Sequence, residues 1–155
     1  MNKLYLPILF LLAIVVGACR PEAKWTTDDV QIEMSVKTVS AAFIECEFST
    51  NTEGYYLIGI DSVDDAYDPM SHQKQYMMLA LDNANVEYLV WRNQLLQEGE
   101  FNVAPFSSHS LQYGKINHFF TGLKPNTSYW IYAFSVNPET LTPMGTLQLI
   151  TVQTA

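Results

Sequence analysis

The chain has 155 residues, of which 16 are acidic and 8 are Lys or Arg, for a formal charge of -8. Such a balance disfavours nucleic acid and anionic lipid headgroups as partners. At 48% hydrophobic, with nine Tyr, eight Phe and three Trp, the composition is that of a chain with one buried core and not of a disordered segment.

The first element is a leader. Met1-Asn2-Lys3 places a positive charge ahead of the apolar run Leu4 to Val16, which is too short to span a bilayer comfortably and ends in the small pair Gly17-Ala18. Residues 1–18 therefore read as a secretory signal. Val16-Gly17-Ala18-Cys19 resembles the lipobox of bacterial lipoproteins, and that resemblance implies cleavage before Cys19 and lipidation of its thiol and new amino terminus. Three acyl chains, palmitate among them, at about 0.8 kcal/mol per buried methylene would hold the protein durably at the membrane. The expected location is the outer membrane of the cell envelope, on its periplasmic or surface face. Loss of Lys3 with the leader leaves about 137 residues with a formal charge of -9, the size of one domain plus a tether. Only Cys46 then remains unmodified, so no intramolecular disulfide can form, and Cys46 is expected to be a buried apolar filler.

Residues 19–28 form the expected tether, polar and carrying Pro21. The domain is assigned to 29–155. Val30, Ile32, Met34 and Val36 alternate with Gln31, Glu33, Ser35 and Lys37, and Ala42, Ile44, Cys46 and Phe48 repeat the pattern against Phe43, Glu45 and Glu47. These are half-buried strands, the second closed by the turn signal Asn51-Thr52-Glu53-Gly54. Tyr55 to Ile60 and Trp130 to Phe134 are apolar at both parities, so they need cover on both faces. Gly145 to Thr154 is a mixed strand, with Leu147, Leu149 and Val152 inward and Ile150 adding a second apolar face.

Two helices are expected to supply the cover. Asp68-Pro69 pairs an oxygen-bearing N-cap with proline at the first helical position, and Met70, Met77, Ala80 and Leu81 follow on one side. Asp82-Asn83-Ala84-Asn85 is read as a break. A second helix from about Val86 ends at Gly99, a residue suited to a left-handed C-cap. Its stripe Val86, Leu89, Val90 and Leu96 is expected to cover the sheet, leaving Tyr88, Trp91 and Leu95 for the first helix or for a partner.

Thr121-Gly122-Leu123-Lys124-Pro125-Asn126-Thr127-Ser128-Tyr129 and the strand to Asn137 resemble the end of strand E, the turn and strand F of a fibronectin type III domain. Leu123, Pro125, Thr127 and Tyr129 carry the pattern, in which a corner tyrosine buries its ring and returns its hydroxyl to the upstream backbone. The resemblance implies strands A and B within Val30 to Thr50, strand C at Tyr55 to Asp61 and a last strand at Gly145 to Thr154. It also implies that Tyr129, Ile131, Ala133 and Ser135 point into a sandwich, with Trp130, Tyr132, Phe134 and Val136 on the outer face. The chain departs from the family at about 62–113, where some fifty residues are inserted. The expected fold is a mainly β, fibronectin type III or immunoglobulin-like sandwich with a helical insertion packed on the outer face of one sheet. Lipid-anchored proteins of this build resemble envelope proteins of Bacteroidetes.

Chemistry-bearing clusters are sparse. Asp61, Asp64, Asp65 and Asp68 could attract calcium, but the spacing is not that of an EF-hand and no glycine makes its turn, so a solvated loop ending in a helix cap is the better reading. Asp61-Ser62-Val63 resembles a Bacteroidetes O-glycosylation tripeptide. His72, His109 and His118 lack metal-site spacing, and Ser107-Ser108-His109-Ser110 has no strand-turn-helix elbow around it. With no paired carboxylates in a cleft, no phosphate loop and no activated cysteine, the chain is expected not to be an enzyme and to use no metal or cofactor. Binding is the remaining class. The candidate residues are Tyr88, Trp91 and Leu95 on the insertion, and Trp130, which with Tyr132 and Phe134 would either stack sugar rings or lie hidden under the helices. The expected function is a lipid-anchored, non-catalytic binding or assembly module for an envelope protein, the alternative being a glycan-binding accessory lipoprotein.

Overall fold

The computed structural model describes residues 30–155. The expected signal peptide at 1–18, the lipidation site Cys19 and the tether at 19–28 lie outside the described residues.

Seven strands among the described residues form two antiparallel sheets. The first joins β1 (Ile32–Val39), β2 (Phe43–Thr50) and β5 (Ile116–Thr121) in that order; the second runs β4 (Gln112–Tyr113), β3 (Tyr55–Ser62), β6 (Ser128–Asn137), β7 (Thr142–Gln153). Alternation in β2 buries Ile44, Cys46 and Phe48 completely and leaves Glu45 and Glu47 on the opposite face. There Glu47 takes Lys115, just ahead of β5, at 3.1 Å and Lys37 of β1 at 3.4 Å, and these cations hold its carboxyl below the usual value.

The inner faces meet in one cluster. Ile32, Ile44, Cys46, Phe48 and Phe120 from the first sheet pack with Tyr56, Tyr129, Ile131 and Ala133 from the second. Burial, aided by the nearby Glu45 charge, pushes the Cys46 thiol up to about 11, so it is a neutral filler at ordinary pH. The alternate residues of β6, Tyr132, Phe134 and Val136, enter a second cluster on the far side of the same sheet. A strand buried on both faces must read apolar at both parities, as β6 does.

The cover on that far side is α1 (Gln73–Gln97), preceded by a 3-10 turn at Pro69–His72. Asp68 caps the turn, accepting the Met70 N–H at 3.0 Å and the Ser71 hydroxyl. The expected break at Asp82 to Asn85 does not occur, and one helix of 25 residues replaces the two expected. Asp82, Asn83 and Asn85 are poor helix formers but none is Pro or Gly, so each costs only a few tenths of a kcal/mol, and Ala84 favours the helix. Burying one uninterrupted stripe outweighs that. At about 100° per residue, Gln73, Tyr76, Met77, Ala80, Leu81, Ala84, Tyr88, Trp91 and Leu95 fall on one side. The helix ends where Gly99 turns left-handed (φ 91°) and Glu100 donates to the Leu95 carbonyl at 3.0 Å.

Continuity reverses the expected roles on the second half of the helix. Tyr88 lies on the inward stripe, whereas Val86, Leu89, Val90 and Leu96, expected to cover the sheet, are exposed. The short α2 (Phe106–Ser110) returns beneath Tyr88, whose ring meets Phe106 edge-on at 5.5 Å.

Two contacts fix α1 on the sheet. Opposite Phe134, β7 carries three residues, Gly145 to Leu147, where one would suffice, because Ala133 pairs with Gln148 and Ser135 with Met144. Such a bulge leaves ladder groups unpaired, and the Gln73 side chain accepts the Leu147 N–H at 3.1 Å. Tyr76 stands edge-on to Tyr132 at 5.3 Å and donates its hydroxyl to Asp61 at 2.5 Å. Burial first, then Asp61, through its hydrogen bond and charge at Tyr76 and its charge at Tyr132, lifts the pKa of both phenols well above the ordinary value.

At the turn from β5 to β6, the Tyr129 hydroxyl accepts the Lys124 N–H at 2.9 Å. Thr154 seals the same corner, its hydroxyl donating to the Lys124 carbonyl at 2.6 Å and accepting the Thr127 N–H at 3.0 Å.

Candidate functional site

Neither the aspartate-rich loop nor the histidines converge on a common point. Asp61 is engaged by Tyr76, Asp64 accepts the Ala66 N–H at 2.9 Å, and Asp68 caps the 3-10 turn. Among the described residues no group of three or more His, Cys, Asp or Glu side chains is placed to hold a metal ion. His72 stacks on Tyr67, and His118 lies edge-on to Phe120. His109 stacks on Trp91 at 4.0 Å with its Nδ1 at 3.0 Å from the Ser110 hydroxyl. Ser62 is exposed at the end of β3.

The four binding residues expected from sequence do not make one surface. Tyr88 is buried and donates its hydroxyl to the Ala104 carbonyl at 3.0 Å. Trp91 and Leu95 are half-buried, Trp91 between Tyr88 and His109. Trp130 is 9% exposed and so offers no platform for a sugar ring; its companions Tyr132 and Phe134 lie in the cluster under α1. The physical reason for the Tyr88 stripe is the unbroken helix: its inward register, set at Met77 and Leu81, runs through to Leu95, and the chain's own return segment covers it.

What remains open is the opposite side. Leu79, Val86 and Val90 project from α1 away from the sheet, Val90 at 65% exposure, with Met78, Leu89 and Leu96 beside them on one flank. Phe101, just past the helix, is 93% exposed. Sequence reasoning missed this face because it started a new register at Val86; carrying the Met77 and Leu81 stripe forward in steps of three and four would have found it. A groove of about 520 Å³ adjoins the first half of α1, between Met77, Met78 and Leu81 on the helix and Leu141 and Pro143 on the turn into β7, with Lys74 and Asp82 at its rim. Its apolar lining suits a side chain better than a charged group.

No protein-family model matches the chain, and no relative of it is found among curated proteins. Among the described residues no helix is long and apolar enough to cross a membrane.

Proposed function

We propose that this chain is a lipid-anchored, non-catalytic binding or assembly module of a bacterial cell envelope, in which a fibronectin type III-like sandwich carries an inserted helix that contacts a protein partner. The observation that carries the docking role is the outward row Leu79, Val86 and Val90. Apolar side chains held together on a rigid helix cost solvation in a free monomer and are regained on covering them. The Tyr129 corner and the division of the strands, first, second and fifth against third, sixth and seventh, support the type III reading. Val16-Gly17-Ala18-Cys19 supports the anchor. The burial of Trp130 removes the residue on which a glycan platform rested.

The docking role is tested by capture from detergent-solubilised envelope with the full chain as bait. Val86→Asp together with Val90→Asp should lose an enriched companion while the circular dichroism and thermal midpoint stay unchanged. Retention of the companion by that variant removes this face as the contact. The anchor is tested separately: Cys19→Ala should abolish acyl-chain labelling, and persistent labelling would refute lipidation at Cys19.

A further inference from the structure

Along one flank of α1, Met78, Asp82, Asn85, Leu89, Arg92 and Leu96 succeed one another at intervals of four, three, four, three and four residues. This is the seam spacing of a coiled coil, which keeps a line of side chains facing a second helix; here Met78, Leu89 and Leu96 are apolar, and Asp82, Asn85 and Arg92 are polar residues of the kind that set register at a cost in stability. All six are exposed except Asn85, which is half-buried. The chain's own return segment lies on the other side of α1, against Tyr88 and Trp91.

The order of residue types within the seam selects its occupant. When the same helix is laid antiparallel with Met78 opposite Leu96, Asp82 falls opposite Arg92 and Asn85 opposite Leu89. A two-fold axis makes each of these contacts twice. Parallel pairing would instead set Asp82 on Asp82 and Arg92 on Arg92, two like-charge layers that oppose association. Neither Asp82 nor Arg92 has an ion partner among the described residues.

We infer that α1 pairs antiparallel with α1 of a second copy of this chain through the Met78 to Leu96 seam, with Asp82 and Arg92 fixing direction and register. The inference rests on reading the open side of α1 as a docking surface, but it uses a different edge from Leu79, Val86 and Val90, which stay free for another protein.

The test is sedimentation velocity of the full chain in detergent, with fewer than one chain per micelle, over a concentration series. The wild type should shift from monomer toward dimer as concentration rises. Asp82→Arg and Arg92→Asp should each weaken association by at least about tenfold, because each creates like-charge layers. The double variant Asp82→Arg with Arg92→Asp should restore it to within about threefold of wild type, since it swaps the signs and keeps the pairing. Both positions face solvent, and circular dichroism checks that the variants fold. A wild type that stays monomeric, or a double variant no better than the singles, overturns the inference. If the wild type is monomeric and Val86→Asp with Val90→Asp still loses a companion, self-pairing falls while docking to another protein stands. If the charge swap restores a dimer and no companion depends on Val86 and Val90, the inference stands and the second role falls.

Discussion

The side-chain oxygen of Gln73 accepts the backbone N–H of Leu147 at 3.1 Å, a bond between residues 74 positions apart. It satisfies a donor that the bulge in β7 has withdrawn from the ladder. Gln73→Ala strands that donor beneath the helix and should cost about 1–3 kcal/mol. Gln73→Glu keeps an acceptor in place and should recover part of the loss. Urea unfolding midpoints decide it; equal losses for the two variants would mean that packing of the side chain, not the bond, is what matters.

Tyr129→Phe keeps the buried ring and removes the acceptor for the Lys124 N–H. The expected cost is about 1 kcal/mol. A local readout separates the bond from general destabilisation: the Lys124 amide should exchange faster relative to amides of β2. Unchanged protection of Lys124 would show that the corner is held by the Thr154 contacts alone.

Gly59 sits in register with Tyr132, and a Cβ there would lie 2.2 Å from the ring's Cζ. Tyr132 cannot swing aside freely, because Tyr76 abuts it and α1 covers it. Gly59→Ala should therefore cost about 1–3 kcal/mol through overpacking. In a Tyr132→Leu background the same change should cost less by about 0.5 kcal/mol or more. Additive losses in the double-mutant cycle would locate the strain elsewhere.

His118 lies opposite Cys46 in the ladder, and burial holds its imidazole below the ordinary value of 6.5. Below that value the unfolded chain binds a proton that the folded chain refuses, so stability is present above 6.5 and is lost as pH falls through the folded value. The urea midpoint should decline in that window, and His118→Phe should flatten the decline. Glu47 and Asp68 are held below their ordinary 4.5 and 3.8, so stability they contribute is lost only at lower pH. A slope unaffected by His118→Phe would assign the acid sensitivity to other groups.

The strands were legible in the sequence because their alternation is enforced by burial on one face at Ile44, Cys46 and Phe48, and by burial on both at Tyr129 to Val136. Leu123, Pro125 and Tyr129 also marked the corner, since few residue types can fill it. The helix was harder. Asp82, Asn83 and Asn85 carry a local preference against helix, and that preference loses to the continuous stripe from Met77 through Tyr88, a comparison that requires knowing what lies beneath each turn. The bulge at Gly145 to Leu147 was not legible, because its partner is a glutamine far away in sequence. The open face of α1 followed the same limit: Val86 and Val90 look like core residues until the register of the first half is carried through them.

The placement of α1 also orders events in time. Its inward residues Tyr76, Met77 and Leu81 share their cluster with Leu57 of β3, which comes before the helix, but the rest of the sheet they cover, β6 and β7, follows it in the chain. A polypeptide emerging from its amino terminus therefore holds the helical segment without a complete sheet to rest on until some fifty further residues have appeared. The pairing of β3 with β6, and of Gln73 with Leu147, must wait for that late arrival, and such long-range closure is slow. During the interval the apolar side of the helix is a target for misassembly. Growth from the opposite end would have spared it that exposure.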